Sequence, residues 1–192
     1  MEFYDLLKFV HILTVVFMAA PLYNLIVVNE RARFGKAHVQ VDRYFENLIR
    51  GNATRCYVFQ ATVLVTGVLL VAVGGSLASL VTNRVLLTKW ILFLILPALL
   101  SVVTLSLQPR IDGLLAQVTA DSIPQEIAAQ IGPLRLRRKR LAAVCLFLLI
   151  AQILLGLQLG VPFGIPLNAL LLLLAAVFAW RVYRSPIPYG WL

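Results

Sequence analysis

A helix of about 20 apolar residues spans the hydrocarbon core of a bilayer, and runs of that length fill more than half of this chain. They cover residues 6–28, 57–80, 85–107, 141–159 and 165–183. Lipid offers no hydrogen bonds to backbone groups, so each run must satisfy its own by coiling into a helix. Composition agrees: 61% of the 192 residues are hydrophobic and 13% charged, where a soluble domain carries about 25% charged residues. The sequence therefore predicts an all-α fold, an integral membrane helical bundle of five transmembrane helices forming a single membrane domain over residues 1–192. A multi-pass protein of a bacterial-type inner (plasma) membrane is expected. The opening run could pass for a signal peptide, with Ala19-Ala20 as a cleavage site. Glu2 and Asp5 stand where a basic cluster belongs, so it reads as a retained span.

Charge orients the bundle. Between the first two runs lie Arg31, Arg33, Lys36, Arg43, Arg50 and Arg55, and between the third and fourth lie Arg110, Arg135, Arg137, Arg138, Lys139 and Arg140. Arg181 and Arg184 follow at the end of the fifth run, whereas the opposite side holds only Lys8, Arg84 and Lys89. The positive-inside rule then places the N-terminus outside and the C-terminus in the cytoplasm. Gly160-Val161-Pro162-Phe163-Gly164 is a helix-breaking turn, which makes the last two spans an antiparallel hairpin.

The net charge of +9 would suggest nucleic acid in a soluble chain. Here the basic residues sit in loops between spans, so membrane lipids are the expected partner and no nucleic acid is. Residues Arg135, Arg137, Arg138, Lys139 and Arg140 are expected to bind anionic headgroups. In the preceding loop, Ile111, Leu114, Leu115, Val118, Ile123, Ile127 and Ile131 recur at spacings of three and four. Amphipathic helical pieces broken at Pro124 are expected there, lying on the inner membrane surface.

Of the ionisable residues inside the spans, one histidine and one lysine stand out. His11 enters the first at Phe9-Val10-His11-Ile12-Leu13, and Lys89 enters the third at Thr88-Lys89-Trp90-Ile91. Placing such groups in hydrocarbon costs several kcal/mol, which makes them functional candidates. His11 lies six residues inward of Asp5 and Lys89 five inward of Arg84, roughly 9 and 7.5 Å at helical rise. Both therefore sit at one level in the outer third of the bilayer. Imidazole is a good ligand for iron, copper or zinc, and a neutral amine can ligate as well. The bland alternatives are a hydrogen-bonded structural histidine, with Thr14 as partner, and a lysine that snorkels to the interface beside Trp90.

Three stretches carry a resemblance. Tyr4-Asp5-Leu6-Leu7-Lys8-Phe9-Val10-His11-Ile12 resembles the first helix of the CopD/HemJ-like small integral-membrane family, which includes HemJ-type protoporphyrinogen oxidases. Phe45-Glu46-Asn47-Leu48-Ile49-Arg50, leading to Gly67-Val68-Leu69-Leu70, is similar to that group's inner loop and second helix. Thr88-Lys89-Trp90-Ile91-Leu92-Phe93 resembles the start of its third helix. The likeness covers roughly residues 4–160. It implies haem b as cofactor, with His11 and Lys89 as ligands of the haem iron. The chain departs from the HemJ pattern at Phe17-Met18-Ala19-Ala20-Pro21, at Leu86 where that group has tryptophan, and in its fifth span. A relative from the CopD-like side of the group is implied rather than an authentic oxidase.

Three functions follow as expectations: a small haem-b-type oxidoreductase or electron-transfer protein, a non-catalytic accessory transmembrane subunit of a larger respiratory or photosynthetic complex, and a copper permease. The last is disfavoured, because Met1, Met18, Cys56 and Cys145 make no soft relay along the spans. A larger membrane complex or a homo-oligomer is the expected assembly. Cys56 and Cys145 read as buried structural thiols. Asn24, Gln60, Gln152 and Gln158 are expected to hydrogen-bond between helices. Pro21 and Pro97 are expected to kink spans one and three and open a cavity between them.

Overall fold

The computed structural model describes residues 2–29, 39–119, 122–160 and 164–185. Among them every regular element is helical: α1 (Glu2–Asn29), α2 (Val39–Gly74), a single turn α3 (Ser79–Thr82), α4 (Arg84–Val102), a π-helical turn (Val103–Leu107), α5 (Gln108–Ala116), α6 (Gln125–Leu157) and α7 (Ile165–Arg184). Five helical stretches are long and apolar enough to cross a membrane: α1, α2, the continuous run from α4 through the π turn into α5, α6 and α7. Arg31, Arg33, Lys36 and His38 fall outside the described residues, as do residues 161–163 of the glycine–proline turn.

Large apolar side chains such as Ile12, Val16, Val65, Leu69, Ile91, Leu94, Leu173 and Val177 face outward. That is the surface a bundle presents when its solvent is hydrocarbon. Inside, Met18 of α1, Val63 of α2, Phe93 and Leu96 of α4, and Cys145 and Leu149 of α6 form an apolar plug across four helices. Small residues bring α6 and α7 together: Ala143 and Leu146 pack with Val182 and Ile26, and Ala175 and Ala179 are buried on α7. The α6–α7 hairpin is thus formed. Asn83 starts α4 by accepting from the backbone N–H groups of Val85 and Leu86, an N-cap that puts Lys89 in the second turn of the helix.

The helices outrun the apolar segments at one end. α2 begins at Val39 and α6 at Gln125, well before the runs that start at 57 and 141. There Ile111 and Leu115 of α5 pack with Ile131 of α6, with Ile123, Ile127 and Leu134 around them. Their apolar stripes pack on one another, with Ile111 and Ile131 completely buried and Leu114, Ile123, Ile127 and Leu134 partly so. Pro124 does mark the break, standing at the N-cap of α6.

Candidate functional site

His11 projects from α1 onto α2. Its Nδ1 lies 2.8 Å from Thr66 Oγ1, and not on Thr14, whose hydroxyl donates to Val10 O one turn back. Thr66 Oγ1 also lies 2.7 Å from Thr62 O. That carbonyl can only accept, so the single hydroxyl proton goes to it. The contact with His11 is then completed by the ring, which donates its Nδ1–H to Thr66 and leaves the Nε2 lone pair free. Gly67 makes the approach possible: a Cβ there would stand 3.3 Å from His11 Cε1.

Lys89 turns inward to α6. A Cβ at Gly156 would stand only 3.0 Å from Lys89 Nζ, so the absence of a side chain cradles the amine. Among the described residues no hydrogen bond or salt bridge occupies that nitrogen. The side chain is half-buried. Gln152 stands one turn before Gly156 on the same face of α6, and its Nε2 is buried without a partner. Gln60 Oε1 and Gln158 Nε2 are likewise unpartnered. Among the described residues, the interhelical hydrogen bonds expected of these atoms are not made.

The two glycines give a direct prediction. Gly156→Leu should expel Lys89 from its cradle, and the amine should become reactive to a membrane-impermeant acylating reagent that spares it in the native chain. Equal protection in both proteins would contradict the cradle. Gly67→Leu overpacks the His11 face, which costs about 1–3 kcal/mol in a packed core.

The basic run divides around its helix. Arg135 and Arg138 point into the protein and are 1% and 0% exposed, while Lys139 is buried too. Arg135 Nη2 lies 2.5 Å from Asp42 Oδ2 and 2.8 Å from Glu46 Oε1. Arg138 grips Glu46 with both terminal nitrogens, at 2.6 and 3.1 Å. Gln108 joins them, accepting from Arg138 at 2.7 Å and donating to Glu46 and Asp112 at 3.1 Å each. Arg50 closes the edge on Asp112 at 2.7 Å. Lys139 Nζ donates to the carbonyl and hydroxyl of Ser185, tying α6 to the end of α7. Arg43 caps α5 by donating to the carbonyls of Leu115 and Val118. Arg137 is exposed, and Arg140 lies over the Tyr183 ring at 5.0 Å. Sequence reading missed Asp42, Glu46 and Gln108. The available signal was the matched helical spacing of Asp42 with Glu46 and of Arg135 with Arg138.

The structure thus holds an imidazole between α1 and α2 and an amine between α4 and α6, at the end of the bundle away from the charged cluster. Among the described residues no three His, Cys, Asp or Glu side chains converge as a metal cluster. Comparison with protein-family models, curated proteins and solved structures finds no match.

Proposed function

We propose that this chain is a small haem-b-type oxidoreductase or electron-transfer protein of a bacterial-type inner membrane, as its resemblance to the CopD/HemJ-like group implies. The observation that carries the reading is the state of His11. A ligating histidine typically has its second nitrogen fixed by a hydrogen bond, and the Nδ1–H on Thr66 does this while Nε2 stays free. Lys89 supports it, because its amine is turned into the bundle against Gly156. The orphaned Nε2 of Gln152 on the same helix face offers a donor for an oxygen-bearing group beside the pair.

His11 and Lys89 would hold the haem iron; the bound haem would supply one-electron oxidation and reduction. The chain's own part is to fix the imidazole tautomer through Thr66 and to admit both ligands through the two glycines. Arg137 and Arg140, the members of the basic run not drawn into the interior, would meet the lipid headgroups.

Purified protein from haem-supplied cells should show a Soret band that shifts on dithionite reduction. Lys89→Met should displace that band without erasing it. A folded chain without haem absorbance would instead favour the accessory-subunit reading.

The charged end should lie in the cytoplasm. Ser122→Cys should react with impermeant maleimide only in inverted vesicles, and Thr82→Cys only in right-side-out cells; both positions are exposed. The opposite pattern would reverse the orientation.

A further inference from the structure

The chain contains two cysteines and two methionines. Both cysteines, and the one methionine beyond the first residue, line a single cavity. Met18 and Leu22 of α1, Cys56 and Gln60 of α2, Leu96 and Leu99 of α4, and Ala142 and Cys145 of α6 wall about 50 Å³, with Val103 opening the π-helical turn at its edge. Separated along the sequence, these sulfur atoms suggested no relay; folding brings them to one level. Met18, Cys56 and Cys145 are 3%, 4% and 6% exposed. Both thiols are buried and face the same cavity from α2 and α6. Neither is in a disulfide.

Gln60 makes an independent observation. Its side chain is 8% exposed, lines the same cavity, and its Oε1 is buried without a hydrogen-bond partner. A buried acceptor left unsatisfied is costly. A water needs two to four polar partners, and this wall is apolar apart from Gln60 and the sulfur atoms. The volume is far below the roughly 300 Å³ at which organic ligand pockets begin, so a bare ion fits and a molecule does not.

We propose that this cavity is a binding site for a thiophilic d10 metal cation, with Cys56 and Cys145 as thiolate ligands, Met18 as thioether ligand and Gln60 Oε1 as the oxygen donor. Thiolate and thioether sulfur select soft and borderline cations over hard ones. Charge balance in a low-dielectric interior sets the stoichiometry. A divalent ion displaces both thiol protons and a monovalent ion displaces one, so that either assembly is neutral. The protons leave to solvent as the metal–sulfur bonds form, and no electron is transferred. The cavity shares Met18, Leu96 and Cys145 with the apolar plug and is lined by neither His11 nor Lys89, so the proposal stands whether or not haem binds there.

The test uses the full chain in detergent, titrated with Cd(II) and separately with Ag(I). One ion per chain is expected. Cd(II) should produce thiolate charge-transfer absorption and release two protons; Ag(I) should release one. Both ions should protect the two cysteines from a membrane-permeant maleimide. Cys56→Ala and Cys145→Ala should each weaken binding at least 100-fold, and Met18→Leu and Gln60→Leu about 10-fold. Size-exclusion profiles identify variants that stay folded, and Met18→Leu conserves volume if an alanine variant does not. No binding by the native chain would overturn the proposal. So would binding that survives both cysteine variants, or closure to a disulfide under mild oxidation that leaves no metal-competent form.

Discussion

Replacing Arg138 by Met will cost the protein most of its folded yield, and adding Glu46→Gln will recover much of the loss. Arg138 is completely buried and holds Glu46 by two hydrogen bonds and Gln108 by a third. Removing one partner of such a pair strands the other charge in the interior, which typically costs about 3–5 kcal/mol. That is a large fraction of the roughly 5–15 kcal/mol that stabilises a domain. Arg135 still reaches Glu46 in the single variant, while it also holds Asp42. The double variant buries a neutral amide that Gln108 and Arg135 can bond, so it should be the more stable of the two. Thermal stability in detergent, read by size exclusion, checks the order: native, then double, then single. Arg137→Met, on the exposed face, should behave as native. A single variant as stable as the native chain would remove the buried cluster as the clamp of the charged end.

His11→Ala is expected to abolish haem binding, and Thr66→Val to weaken it by roughly 10- to 100-fold, as loss of an outer-shell partner does. The threonine substitution conserves shape and removes only the hydroxyl that takes the ring proton. A His11 with no acceptor at Nδ1 can place its proton on either nitrogen, and one of those tautomers blocks Nε2. Free-haem titration of purified variants separates the effects: His11→Ala should show no saturable Soret change, and Thr66→Val should saturate at higher haem concentration with an unchanged band position. An affinity unaffected in Thr66→Val would show that the hydrogen bond plays no part.

The spans were legible because lipid accepts only one solution: a run of 20 apolar residues with every backbone bond satisfied inside it. Met18 and Leu22, which wall the cavity, flank Pro21, and Leu96 and Leu99 flank Pro97. The helical extensions were hidden for a physical reason. Arg135 and Arg138 look like headgroup anchors until Asp42 and Glu46, more than 85 residues earlier, are seen to neutralise them. Hydropathy records the cost of burying a charge and not the presence of its partner. Thr66 was equally silent. Nothing local separates it from Thr62, and only the crossing of α1 over Gly67 selects it as the acceptor for His11.

The most direct test of the His11–Lys89 reading is the haem content and absorbance of the purified native chain, oxidised and then dithionite-reduced, beside His11→Ala prepared identically. The reading predicts about one b-type haem per native chain, a Soret band that moves on reduction, and a folded His11→Ala protein with none. A native chain that folds without haem and acquires no saturable Soret band when haem is supplied would contradict it, as would a His11→Ala protein with the native spectrum.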